Sequence, residues 1–335
     1  MSENELHAHD QSRPKVAFPV GDPGGIGPEL CLKAALSKDV RELCRPLIFG
    51  DLKVLQEHAR LCEIPWDVEV YTDLSEVDWT SDKILILARD QFSESDFTIG
   101  EIKASHGTSI LDSAQAAITA AVSGEVDAVV ACPHTQSAIA KSGVQFDGYP
   151  SYVAKITNKS AEEVFLMLCV DDIRIAHCTL HVGLRDALDM IDVKRVKSCI
   201  QATYDTLKKI GIPQPKILIS GINPHASENG LFGDEEANII IPAVEEARSK
   251  GIHVEGPVGA DNMLHRQDID AFIVMFHDQG HIPAKLLARH RTAAVTIGSP
   301  ILFSSVAHGS ALDIAGQGKA DISALVQALT TVIPS

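Results

Sequence analysis

The sequence predicts an α/β protein built on a largely parallel sheet, and three observations carry that expectation. Short apolar runs of strand length alternate along the chain with amphipathic stretches of helix length. A glycine-rich turn follows the first of these runs and leads straight into a helix pattern. Of the 335 residues 45% are apolar, which supplies a large core and, at this length, about two lobes.

Taken in order, the expected strands are Val16–Val20, Pro46–Phe49, Lys83–Ala88, Val126–Ala131, Val164–Cys169, Ile173–Cys178, Lys216–Ser220, Ala271–Phe276 and Ala293–Ile297. Each is dominated by a short apolar run, as expected for a strand covered on both faces. Helix patterns lie between several of them, at Pro28–Ser37, Thr108–Ser123, Val193–Ile210, Glu235–Ser249 and Ala320–Ile333. Pro28 suits the start of the first, where its missing N–H costs nothing. No repeat or low-complexity linker separates two lobes. The chain is therefore expected to cross between them, with residues 14–134 and 298–335 in one and 135–297 in the other. Residues 1–13 are polar and aperiodic and are expected to be disordered.

With 29 basic against 45 acidic residues the formal charge is -16, which disfavours a nucleic-acid or anionic-membrane partner. No apolar run approaches the ~18 to 20 residues that span a bilayer. Seven scattered cysteines without a C-x-x-C pair, in a chain lacking an apolar leader, read as reduced, buried thiols of a cytoplasmic protein.

Three histidines sit where an expected strand runs into a polar loop: His181 in Leu180-His181-Val182, His225 in Asn223-Pro224-His225, and His277 in Phe276-His277-Asp278. Open α/β sheets gather ligands at strand ends, and three imidazoles can hold one transition metal. Each alone could equally satisfy a buried polar need. Two glycine-rich loops accompany them. Gly21-Asp22-Pro23-Gly24-Gly25-Ile26-Gly27-Pro28-Glu29 permits close backbone approach and opens a helix whose amides could face an anion. The second runs from His308 through Gly309, Ser310, Asp313 and Gly316 to Gly318, and its groups suit a ribose and an adenine edge. Either could instead be an ordinary turn.

Together these loops resemble the cofactor elements of the isopropylmalate and isocitrate dehydrogenase superfamily, which binds NAD(P) without a Rossmann domain. With Thr179-Leu180-His181, Asn223-Pro224-His225-Ala226 and His277-Asp278-Gln279-Gly280 added, the chain from Pro14 to Ile333 resembles the 4-hydroxythreonine-4-phosphate dehydrogenase family. That resemblance implies two α/β/α lobes of the isocitrate/isopropylmalate dehydrogenase-like fold with the active site in the cleft between them. It implies NAD bound at Gly309, Ser310, Asp313 and Gly316, and one divalent ion on His181, His225 and His277; neutral imidazoles favour zinc, leave manganese, cobalt or iron open, and make magnesium a poor fit by ligand softness. It also implies a homodimer in which His277 completes the partner's site.

The family's phosphate pocket is altered here. A His-Thr pair is replaced in Gly148-Tyr149-Pro150-Ser151, an Asn is Ala294, and a phosphate-binding Arg is Phe303, while Lys285 is retained. Losing a bidentate cation makes a phosphorylated substrate poorly suited. These departures, with Ala131-Cys132-Pro133-His134, His281-Ile282-Pro283 and Ser304-Ser305-Val306, are similar to the terephthalate dihydrodiol dehydrogenase branch of the family. That branch implies a small dicarboxylate diol as substrate, oxidised and decarboxylated to protocatechuate. Tyr149, His134, Phe303 and Lys285 are the expected substrate contacts. Asp278, Asp261 and Lys285 are the candidates for proton transfer or for orienting the metal ligands. Asp278 could equally cap a helix beginning near Gln279. Phe303 could lie against the diene ring or merely fill the volume of the missing arginine.

Overall fold

The computed structural model describes residues 13–92, 97–287 and 292–333. The expected disordered leader lies outside them except for Arg13. Two compact units result, one comprising 13–146 with 303–333 and the other 147–302.

The first unit opens with strand β1 (Lys15–Pro19), helices α1 (Gly27–Leu36) and α2 (Lys38–Leu43), β2 (Arg45–Gly50) and α3 (Leu52–Leu61). It continues with β3 (Val68–Tyr71), β4 (Ile84–Ala88), α4 (Ala104–Val122), β5 (Ala128–Ala131) and α5 (Gln136–Lys141). Pro28 stands in the first turn of α1. Asp51 caps α3, its carboxylate accepting from the amides of Lys53 and Val54. β1 pairs in parallel with β2 and with β5, and β4 in parallel with β2 and β3. Every residue of β2 and β5 is buried, which explains the apolar runs at Pro46–Phe49 and Ala128–Ala131.

The second unit holds α6 (Tyr149–Ile156), β6 (Phe165–Val170), β7 (Ile173–His177), α7 (Leu184–Met190) and α8 (Val193–Lys209). β8 (Lys216–Ser220), α9 (Ile241–Ser249), β9 (His253–Val258), β10 (Ala271–Val274), α10 (His277–Leu287) and β11 (Thr292–Ile297) follow. Its strands lie in the order β11-β6-β7-β10-β8-β9. From β7 to β9 all pairings are parallel, whereas β6 is antiparallel to both β7 and β11. The chain then returns to the first unit as β12 (Leu302–Val306), next to β5, and α11 (Ser323–Thr330).

β3, β9 and β12 have no counterpart among the expected strands. Val68-Glu69-Val70-Tyr71 is an incompletely covered edge, Gly256-Pro257 interrupts β9, and β12 carries Ser304 and Ser305. The interior tolerates Ser304 because its hydroxyl donates to the Ala328 carbonyl at 2.8 Å. All seven cysteines are free thiols, six of them buried. No helix among the described residues is long and apolar enough to cross a membrane.

Candidate functional site

In the second unit the three histidines fall at one edge of one sheet. β7, β10 and β8 are adjacent parallel strands, and His181, His277 and His225 each follow the carboxyl end of one of them. Parallel strands put those ends on the same side, where side chains can meet a ligand. The His181 and His277 rings lie 5.6 Å apart, centre to centre.

Two of these rings have their tautomers set by an oxygen. His181 Nδ1 is 3.3 Å from the Asp147 carbonyl, which can only accept. His277 Nδ1 is 2.7 Å from Asp278 Oδ1. In both the hydrogen therefore sits on Nδ1, leaving Nε2 with the lone pair a metal needs. Asp278 thus serves the ring beside it, within a helix that begins at His277 rather than near Gln279.

His225 is placed differently. Its loop is drawn in by Glu236, a buried carboxylate that accepts from the amides of Ile222 and Asn223 at 2.7 Å and from Asn223 Nδ2 at 3.0 Å. Glu236 opens a wide π turn, Glu236–Ile240, ahead of α9. Beyond Pro224 five successive residues, His225 to Asn229, take positive φ between 47° and 65°, a conformation that costs L-residues energy and concentrates at functional sites. The His225 side chain is exposed, with Glu228 Oε2 at 3.6 Å. Gly259, after β9, lies under this loop: a Cβ there would be 2.6 Å from Asp261 Oδ1 and 3.4 Å from His225 Cα. Asp261 is therefore a neighbour of His225.

The donors suit a borderline divalent ion. The expected three-histidine centre is nonetheless not assembled within one chain: among the described residues no three His, Cys, Asp or Glu side chains converge to metal-ligand geometry. Instead the His277 ring stacks on His281, centroids 3.7 Å apart and planes 11° from parallel. His281 in turn meets His177, Nδ1 to Nε2, at 3.1 Å. Burial, with help from the neighbouring ring, lowers His177 to about 3 and His281 to about 4. His277, His281 and Lys285 recur every four residues on α10 and so share one face. That spacing was legible in the sequence; the part played by His177, inside an apolar strand, was not. A cavity of about 240 Å³ is bounded by His177, His181, Arg195, Phe165 and Ser151.

Two expected substrate contacts lie inside the protein. Phe303 is fully buried on β12 and Tyr149 nearly so at the start of α6. Phe303 fills volume in the core, as the second of its two expected roles has it, and no part of its side chain is exposed in this chain. Ala294 packs on an apolar cluster containing Leu168, Phe272 and Ala284. His134, in the first unit, is half-buried edge-on to Phe146, centroids 5.1 Å apart, and burial lowers its pKa to about 4.

The two glycine-rich loops, both in the first unit, are pressed together. Ile26 N donates to the Ser310 carbonyl at 2.9 Å, and a Cβ on Gly25 would stand 2.6 Å from Ser310 Cβ. Ser310 is buried, its hydroxyl accepting from Thr135 at 2.8 Å. Gly24 has no room for a side chain beside His106, while Gly309 faces open space. Gly316 adopts φ 72°, as a tight turn requires, and Asp313 is exposed. Main chain of the two loops thus packs directly on main chain, with Gly309 and Asp313 at the open side.

Comparison with known proteins places this geometry. The family model described as pyridoxal phosphate biosynthetic protein PdxA matches residues 42–332. A 1,2-dihydroxy-3,5-cyclohexadiene-1,4-dicarboxylate dehydrogenase of Comamonas is 42% identical over 94% of this chain and 96% of its own. The crystal structure of a terephthalate 1,2-cis-dihydrodiol dehydrogenase from Burkholderia xenovorans is 39% identical, with TM-score 0.73 over 96% of this chain and 99% of its own. That of a 4-hydroxythreonine-4-phosphate dehydrogenase from Burkholderia phymatum is 34% identical, with TM-score 0.84 over 96% and 97%.

Proposed function

The chain belongs to the PdxA family, whose relatives here are dehydrogenases, and from that premise we propose that it is an NAD-dependent dehydrogenase that oxidises and decarboxylates terephthalate cis-dihydrodiol to protocatechuate. The observation that carries this is the 42% identity, over nearly the whole of both chains, to a dehydrogenase named for that dihydroxycyclohexadiene dicarboxylate. Phe303 and Ala294, where phosphate-specific relatives are expected to hold polar groups, support it. The two-lobed likeness to isocitrate and isopropylmalate dehydrogenases belongs to the same proposal.

The substrate's own chemistry dictates the sequence of events. Removing a hydroxyl proton and the hydride on its carbon makes a ketone next to the carbon that bears a carboxylate. A β-keto acid loses carbon dioxide readily, and here the resulting enol is already part of an aromatic catechol. NAD would supply the hydride acceptor and a divalent ion, zinc by donor type, the Lewis acidity. His181, His225 and His277 would hold that ion. The loop of Gly309, Ser310, Asp313 and Gly316 would seat the cofactor against the Gly24-Gly25 turn. Lys285, on the exposed face of α10, would bind a carboxylate or donate a proton, and Asp278 and Asp261 would orient His277 and His225 or accept the hydroxyl proton.

A homodimer belongs to this proposal, with His277 serving the partner's site. Large apolar side chains stand exposed beside each histidine: Leu184 (65%) after His181, Leu231 (70%) and Phe232 after His225, and Ile282 and Leu286 (77%) after His277. Exposed apolar side chains there support the reading that another chain covers this face. The deciding assay supplies NAD, zinc and terephthalate cis-dihydrodiol and follows NADH, protocatechuate and carbon dioxide together, with light scattering for mass. Equal yields of the three from a dimer are expected. NADH from a phosphorylated hydroxy acid and none from the diol would favour the activity named for the Burkholderia phymatum relative.

A further inference from the structure

His177 is buried at the end of β7, where a neutral imidazole must find partners for both nitrogens. Its Nδ1 faces the Leu166 carbonyl at 3.4 Å. A carbonyl only accepts, so Nδ1 carries the hydrogen and Nε2 keeps the lone pair. That Nε2 is 3.1 Å from His281 Nδ1, which must then donate. The His277 carbonyl, 3.3 Å from the same atom, is a longer, secondary acceptor for that hydrogen. His281 is thereby an Nδ1–H tautomer with Nε2 unprotonated, and its ring lies flat on that of His277. Gly280 makes the arrangement possible. A Cβ at that position would come within 2.3 Å of His177 Nε2.

We infer that His177 is a positioning residue for the strand-end histidines: by accepting from His281 it fixes that ring's tautomer and plane, and so holds a lone-pair nitrogen beside His277. The inference rests on the assignment of these histidines to the active site. An unprotonated nitrogen there has the polarity that a substrate hydroxyl needs in an acceptor.

The test is imidazole nitrogen NMR on the full-length protein labelled with ¹⁵N-histidine, joined to diol kinetics. Wild type should show His281 as the Nδ1–H tautomer, and His177→Gln, whose amide oxygen can still accept, should keep it. His177→Leu should move His281 toward the Nε2–H form. It should also lower kcat by about 10- to 100-fold, the range for groups that orient site histidines, with the KM for NAD unmoved. His177→Gln should recover most of that loss. Gly280→Ala, which displaces His177 without removing it, should reproduce the tautomer change. An unchanged His281 signal in His177→Leu overturns the inference, and so does a changed signal with unchanged kcat. If wild type itself fails to turn over the diol, the proposed function falls, and the tautomer comparison still decides the role of His177.

Discussion

The glycine loops of the first unit and the histidine edge of the second are built on opposite plans. Around Gly25 and Ser310 the backbone itself makes the surface: the loops touch so closely that no side chain fits between them. Around His181, His225 and His277 the backbone only delivers side chains to adjacent strand ends, and neighbouring oxygens, the Asp147 carbonyl, Asp278 and the buried Glu236, set their orientation or that of their loop. A contact made of main chain tolerates almost no change at its glycines. A site made of side chains depends on the residues standing behind them.

The largest effect expected from breaking this contrast lies with the histidines. Alanine at His181 or His277 should lower diol turnover by at least about 100-fold, beyond the usual cost of losing an orienting neighbour. NADH formation measures it, and a loss under tenfold would remove the histidine edge from the chemistry. At the glycine loops, Gly25→Ala must push Ser310 aside, at a cost of about 1–3 kcal/mol of stability and a raised KM for NAD. Urea unfolding and a cofactor titration read the two consequences; an unaltered KM would detach this loop from the cofactor.

Glu236→Gln sharpens the comparison from the other side. It replaces an acceptor of three hydrogen bonds by a group that must turn one donor toward another. About 1–3 kcal/mol should be lost, together with turnover, while NAD binding is kept. Loss of stability with full turnover would show that the His225 loop needs no such anchor.

The smallest effect concerns pH. Burial lowers the pKa of His58 and takes His134 to about 4, both in the first unit. The unfolded chain, titrating near 6.5, then binds protons that the folded chain refuses. Stability from this source is complete above about pH 6.5 and is lost as pH falls toward 4. Urea midpoints at pH 7.5 and 5 should differ in that direction, and His134→Gln should narrow the gap.

Much of this was legible beforehand because the relevant signals are local. The strands from Val16–Val20 to Ala293–Ile297 each appear close to their expected positions, since a doubly covered strand must be apolar throughout. β9 and β12 were not legible, because a Gly-Pro step and two serines erase that signature. Phe303 stands between two roles in the sequence for a related reason. An aromatic residue in place of a cation reads alike whether it lines a pocket or fills a core, and only burial separates the two.

By itself the sequence determined the α/β class, the positions of the three histidines at strand ends, and the two glycine loops, because period, composition and backbone freedom are properties of short segments. Only the tertiary structure decided that β7, β10 and β8 are neighbours, that Gly25 meets Ser310, and that His177 stands behind His281. Those facts depend on strand order and on contacts between residues up to 285 positions apart, such as Gly25 and Ser310, which no local pattern encodes.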